Sequence, residues 1–272
     1  MSFTTSVCKK IICSLIPLIF GCTAPETRLN NEAQHLNFTR TVVRGTEFDH
    51  VVYLNQKQNK NSALHVYLDG DGTPWINNRW VSENPTTRNP LLLRLMSLEN
   101  GPAIYLGRPC YHGFSHAPPC RSSLWTNQRY SLPVIESMTA ALKKILKQLN
   151  NRKPVLIGYS GGGTLAMLMV ERIPDLQGIV TIAANLDTDA WARLHGYSQL
   201  VGSINPARQP PLDSRLFQRH YAGSNDRNVP ASLIKPTVLR QHSAQLVIIP
   251  EFDHVCCWEK IWASVLDKIQ AN

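Results

Sequence analysis

The chain has 272 residues, 43% of them hydrophobic and 17% charged, which suits one large single-core domain and excludes disordered and collagen-like classes. Lysine and arginine outnumber aspartate and glutamate 28 to 19, a formal net charge of +9, yet the basic residues gather no further than pairs such as Lys9-Lys10 and Lys143-Lys144. That scatter speaks against a nucleic-acid partner and reads as a mildly cationic surface.

The first two dozen residues have the pattern of an export signal. Lys9 and Lys10 precede an apolar stretch from Ile11 to Phe20, too short to span a bilayer stably. It ends at Ile19-Phe20-Gly21-Cys22, which resembles the bacterial lipobox, where a small residue precedes the cysteine that is lipidated and becomes N-terminal. The resemblance implies a signal peptide over 1–21, a lipid anchor at Cys22 and a place in the bacterial envelope, on a membrane facing the periplasm. Cleavage without lipid and an uncleaved apolar anchor are the other readings.

Past residue 35, short β-branched runs alternate with helical stretches, the order of a parallel sheet with helices on its faces. Strands are expected at 39–44, 50–54, 64–68, 103–106, 155–159, 178–183, 217–222 and 246–249, the first two as an antiparallel edge hairpin. Helices are expected at 133–149, 161–173 and 256–269, with another over 229–240 troubled by Pro236. Residues 73–100 and 186–215 read as irregular insertions over the site.

Cys110 and Cys120 bracket a loop rich in Gly and Pro, and an oxidising compartment would let them pair, for about 2–3 kcal/mol. The adjacent Cys256 and Cys257 have three readings: a vicinal bond, pairing elsewhere, or apolar packing. No spacing suggests zinc.

The sharpest chemical signal is Gly158-Tyr159-Ser160-Gly161-Gly162, a G-x-S-x-G pentapeptide between a buried strand and an apolar helix. Glycine is needed at both flanks because side chains there would collide with the neighbouring strand and helix. The serine sits in strained backbone that projects Oγ outward. A phosphate-binding loop is the competing reading, but no Lys-Ser/Thr follows the glycines.

On these residues the chain resembles the α/β-hydrolase superfamily over roughly residues 60–270. The resemblance implies a mostly parallel sheet of about eight strands with helices on both faces, and a triad in the order Ser, acid, His. A serine hydroxyl needs an imidazole to take its proton and a carboxylate to hold that imidazole. His254, after the last strand, is the expected base, ahead of His195, His220 and His242. Asp226 is the expected acid, with Asp187 as rival and Asp189, Asp213 and Asp253 weaker. The amides of Gly161 and Asp71 are the expected oxyanion donors. Asp69 stands where the resembled His-Gly-x segment commonly has histidine, and the two carboxylates Asp69 and Asp71 would oppose an oxyanion unless turned away or paired, with Arg108 or Arg79. A calcium loop at 69–72 lacks the spacing of an EF-hand.

The expectation is therefore a secreted or lipid-anchored serine hydrolase acting on a small-molecule ester through an acyl-Ser160 intermediate, with no cofactor, no metal and no nucleic acid. Peptidase, lipase and thioesterase chemistry stay open, as does a non-catalytic envelope binding protein on the same fold. Trp75, Trp80, Trp125, Trp191 and Tyr197 suggest an apolar pocket rim; Arg79, Arg88, Arg193 and Arg208 suggest a welcome for acidic groups.

Overall fold

Successive side chains of a strand point to opposite faces, and in this sheet both faces are covered. The computed structural model describes residues 23–59, 62–150 and 152–271; the signal segment and Cys22 lie outside them. In chain order the main strands are β1 (Thr39–Arg44), β2 (Asp49–Leu54), β3 (Leu64–Leu68), β4 (Ala103–Leu106), β5 (Pro154–Tyr159), β6 (Gly178–Ile182), β7 (Phe217–Gly223) and β8 (Ala244–Ile249). They form an eight-stranded sheet ordered β1-β2-β4-β3-β5-β6-β7-β8. The β1–β2 and β2–β4 pairs are antiparallel and the remainder parallel.

The helices are α1 (Pro25–His35), α2 (Leu91–Ser97), α3 (Leu132–Gln148), α4 (Gly161–Met169), α5 (Thr188–His195), α6 (Ala231–Leu239) and α7 (Trp258–Gln270). On one face Val52, Val66, Ile104 and Leu156 pack with α3, α4 and α6. On the other, Val51, Tyr53, Tyr67, Tyr105 and Ile157 pack with α1, α2 and α7. The strict alternation along β2, β3, β4 and β5 fills two cores, and burial on both sides explains why these strands read as continuous apolar runs. Trp258 and Trp262 of α7 are fully buried, and truncating either to alanine costs about 3–5 kcal/mol.

Several elements depart from the sequence pattern, among them α1, which no pattern marked, and α5, inside the expected 186–215 insertion. The helix expected to reach residue 173 ends at Met169 and continues as a 3₁₀ turn, Val170–Arg172. α7 begins at Trp258 rather than 256 because Cys257 takes a left-handed φ of 83°, which no helical residue adopts. α2 lies inside the expected 73–100 insertion, and Leu91, Leu92, Leu93, Leu95 and Met96 are all fully buried, so that stretch is core. Ahead of it, Trp75–Ile76 and Trp80–Val81 pair as a short antiparallel hairpin.

Cys110 and Cys120 are bonded, with Cα atoms 5.4 Å apart. Cys256 and Cys257 are bonded to each other, one of the three readings their adjacency allowed.

Candidate active site

The parallel strands β3, β5, β7 and β8 end at one edge of the sheet, and chemistry-bearing loops collect there. At the end of β5 the chain reverses sharply: Ser160 has φ 50° and ψ −121°, a geometry that costs a non-glycine residue about 1–3 kcal/mol. The turn persists because its neighbours leave no alternative. A Cβ on Gly158 would stand 2.4 Å from the Gly162 carbonyl oxygen, and one on Gly162 would stand 1.9 Å from that of Leu68. Ser160 N–H donates to Ile182 O at 2.8 Å, tying the elbow to β6. α4 begins at the next residue, so its positive dipole end faces the serine.

β8 leads into residues 250–257, which carry His254. Its Nε2 stands 3.1 Å from Ser160 Oγ, and its Nδ1–H donates to Asp226 Oδ2 at 2.8 Å. Asp226 lies on the turn after β7, its side chain fully buried, and its Oδ1 accepts N–H groups from Asn228 and Val229 at 2.8 Å each. The carboxylate is thus locked by backbone donors while one oxygen remains for the imidazole. That bond places the proton on Nδ1 and leaves the Nε2 lone pair toward the serine hydroxyl. The His254 carbonyl accepts from Tyr159 OH at 3.1 Å and from Trp258 Nε1 at 3.2 Å, so the loop is pinned on two sides.

The loop after β3 holds two carboxylates in different settings, Asp69 buried and Asp71 partly exposed to the cleft. Asp69 accepts the Gly70 N–H on Oδ1 and the Tyr105 hydroxyl on Oδ2. Burial pushes its carboxyl up to about 6, opposed by those two donors. Asp71 sits between Arg108 and Arg129, whose Nη1 groups are 2.5 and 2.8 Å from its oxygens. The Tyr130 hydroxyl reaches it as well. Burial alone would raise its carboxyl; Arg129, Arg108 and Tyr130 outweigh that and hold it far below the usual range. Both carboxylates are therefore engaged on the protein side. Gly70 N–H is consumed by Asp69, whereas among the described residues no protein acceptor takes the amide N–H of Asp71 or Gly161.

A cleft of about 890 Å³ opens over this edge, with Ser160, His254 and Asp71 in its lining. The 73–89 segment contributes Trp75, Asn78 and Arg88 to it, and the 191–200 segment contributes Trp191, Tyr197 and Leu200.

The remaining residues singled out from the sequence go elsewhere. Asp187 caps α5, its side chain accepting from Asp189 N and Ala190 N, so it stands at a helix start and not behind His254. Asp189 pairs with Arg208, Asp213 with Arg215, and Asp253 accepts the Val255 and Cys256 amides. His195 bonds Asn228 O, His220 is buried against Thr181, and His242 is exposed. Trp125 is buried, its Nε1 donating to Ser82 O, and Arg79 stacks on Trp80 instead of meeting a carboxylate. Arg129, Tyr130 and Tyr159 belong to the site although no sequence signal marks the first two; Tyr159 was legible as the variable residue of the pentapeptide.

The family described as alpha/beta hydrolase fold matches residues 99–251. A putative hydrolase from Agrobacterium vitis superposes with a TM-score of 0.60 at 14% identity, over 86% of this chain and 98% of that one. A serine hydrolase without a lid from Xanthomonas campestris gives 0.56 at 10% identity, over 86% and 96%. A bacterial membrane phospholipase A, described as a virulence factor, gives 0.56 at 13% identity, over 91% and 90%. A search of curated proteins found no match.

Proposed function

The chain belongs to the alpha/beta hydrolase fold family, and we propose that within it this protein is an exported serine hydrolase cleaving ester-type bonds of small molecules through an acyl-Ser160 intermediate. One observation carries the reading. Ser160 Oγ, His254 and Asp226 form a continuous hydrogen-bonded chain whose serine end faces an open cleft.

In the first half-reaction His254 Nε2 takes the Ser160 hydroxyl proton as Oγ attacks the carbonyl carbon. The carbonyl electron pair moves to oxygen, where the N–H groups of Asp71 and Gly161 receive it, each typically worth about 3 kcal/mol of transition-state stabilisation. When the carbonyl re-forms, the alcohol leaves with the proton from His254. Water repeats the sequence: His254 deprotonates it, it attacks the acyl carbon, and Ser160 leaves reprotonated with release of the acid. Asp226 keeps the imidazole in the working tautomer and stabilises its charged form.

Residues 22–272 act as one domain in this proposal, held at the bacterial envelope by lipid on Cys22. A fluorophosphonate probe tests the activity: labelling of the protein but not of Ser160→Ala supports it, and no labelling of either would overturn it. Mass spectrometry of the membrane fraction tests the anchor, which requires an acylated Cys22 at the mature N-terminus.

A further inference from the structure

We propose that the rim of the cleft is a docking surface for an anionic lipid bilayer, from which the enzyme draws its ester. The inference rests on the hydrolase reading for the ester and in part for the choice of occupant; the surface itself follows from where exposed apolar side chains lie.

Large apolar residues left in water are normal when scattered and informative when gathered. Here six of the twelve exposed large apolar side chains among the described residues lie at or beside one mouth. Trp75, Tyr197 and Val255 are exposed and line the cleft. Trp80 and Val81, paired with Ile76 and Trp75 across the short hairpin, are 63% and 41% exposed. Val201, 72% exposed, follows the cleft residue Leu200 and takes its backbone bond from Asn127, another cleft residue. Arg79 lies over the Trp80 ring at 5.2 Å, and Arg88 lines the cleft with no acidic partner among the described residues. Indoles beside arginines suit the boundary of a bilayer, where the ring is half apolar and the cation meets a phosphate.

The occupant follows from two further observations. A protein seated over this rim would close the mouth above Ser160, whereas a lipid surface would supply what the site consumes. The N-terminal segment is also joined to the chain just past the hairpin: Glu26, four positions after Cys22, accepts an N–H from Asn84, three positions after Val81. A chain tethered just before Glu26 is held at the base of the hairpin carrying Trp80.

The test uses full-length Cys22→Ser, which has no acyl anchor, and the same chain carrying Trp80→Ser, Val81→Ser and Val201→Ser; whatever residues 1–22 contribute is common to both. Vesicles are equal parts phosphatidylethanolamine and phosphatidylglycerol. We expect the triple substitution to lower the vesicle partition coefficient at least about tenfold and to slow hydrolysis of vesicle-borne phospholipid, while cleavage of dissolved p-nitrophenyl acetate stays within about twofold. Unchanged partitioning overturns the proposal, as does equal binding when phosphatidylcholine replaces phosphatidylglycerol. A triple variant that is monomeric where the parent is dimeric, without vesicles, assigns the surface to a second copy and also overturns it. Rim-dependent binding without cleavage of any ester keeps the docking surface and sinks the hydrolase reading; ester cleavage with rim-independent binding does the reverse. Should the triple variant fail to fold, Trp80→Ser alone, at an exposed side chain, must show a smaller loss of the same sign.

Discussion

Arg129 Nη1 donates to Asp71 Oδ2 at 2.8 Å, and this bond pairs the charge of a carboxylate whose Oδ1 lies against Gly161, beside the serine. Arg129 is itself buried and donates Nε–H to Thr126 O, so the loop after β3 is held from behind by a second segment. Removing one partner of a buried pair costs about 3–5 kcal/mol. Arg129→Met should lower stability by about that amount, seen in urea denaturation. It should also lower kcat by about 10–100-fold with little change in KM, because the amide of Asp71, the oxyanion donor in the proposed reaction, would be displaced while the substrate pocket persists. A variant with full kcat would separate Arg129 from the oxyanion loop.

The acid is separable from its rival. Asp226→Asn keeps the volume and loses the charge on His254, and kcat should fall about 10⁴-fold. Asp187→Asn should leave kcat within about threefold and cost at most about 1 kcal/mol, since its side chain caps α5 and asparagine also caps. Steady-state assays of the two variants on one ester decide the point; equal losses would contradict the assignment.

The elbow tolerates no side chain at Gly162, where a Cβ would meet Leu68 O at 1.9 Å. Backbone on both sides must move for alanine to fit. Gly162→Ala should destabilise by more than about 3 kcal/mol or fail to accumulate, and a variant with unchanged melting would show the turn to be looser than the structure has it.

Acid should unfold the protein early. Burial lowers His50 to about 4, His112 to about 3 and His220 to about 4. A histidine with a depressed folded pKa contributes stability that is present above its unfolded value near 6.5 and is lost as pH falls toward the folded value. Asp69, raised to about 6, has the opposite sign: the folded state binds its proton first, so it regains stability over the same interval. Three histidines against one aspartate leave a net proton uptake on unfolding, so stability should fall steadily as pH drops from about 6 to about 4. Urea denaturation across that interval measures it, and a flat profile would mean these imidazoles are not buried neutral.

The Cys110–Cys120 bond closes a short loop beside the buried Tyr111 and His112. Replacing both cysteines by alanine should cost about 2–3 kcal/mol, an estimate from loop-closure entropy. Free thiols at both positions in protein purified without reductant would contradict the pairing.

Much of the fold was legible because each strand is a buried apolar run and each long helix carries its own periodicity. α3 shows this well, with apolar positions from Val134 to Leu146 at helical spacing. α1 escapes notice since only Leu29 and Ala33 of its eleven residues are buried, leaving a stripe too thin to read. α2 escapes for the opposite reason: Leu91, Leu92 and Leu93 run together without a period, and only packing against β3 and β4 shows them to be a core helix.

Local sequence determined the elements, their order and the strained serine, because those depend on near neighbours: a strand, two flanking glycines and the helix that follows. It also offered Asp226 and His254, since each follows a strand whose end is recognisable. Only the tertiary structure decided which carboxylate meets which base, because Asp187 and Asp226 both follow strands and differ in what stands opposite them. The same holds for Asp71. Nothing within ten residues of it neutralises its charge; Arg108, Arg129 and Tyr130 arrive from distant segments, and burial makes their pairing decisive, because a low-dielectric interior magnifies every charge that folding brings together.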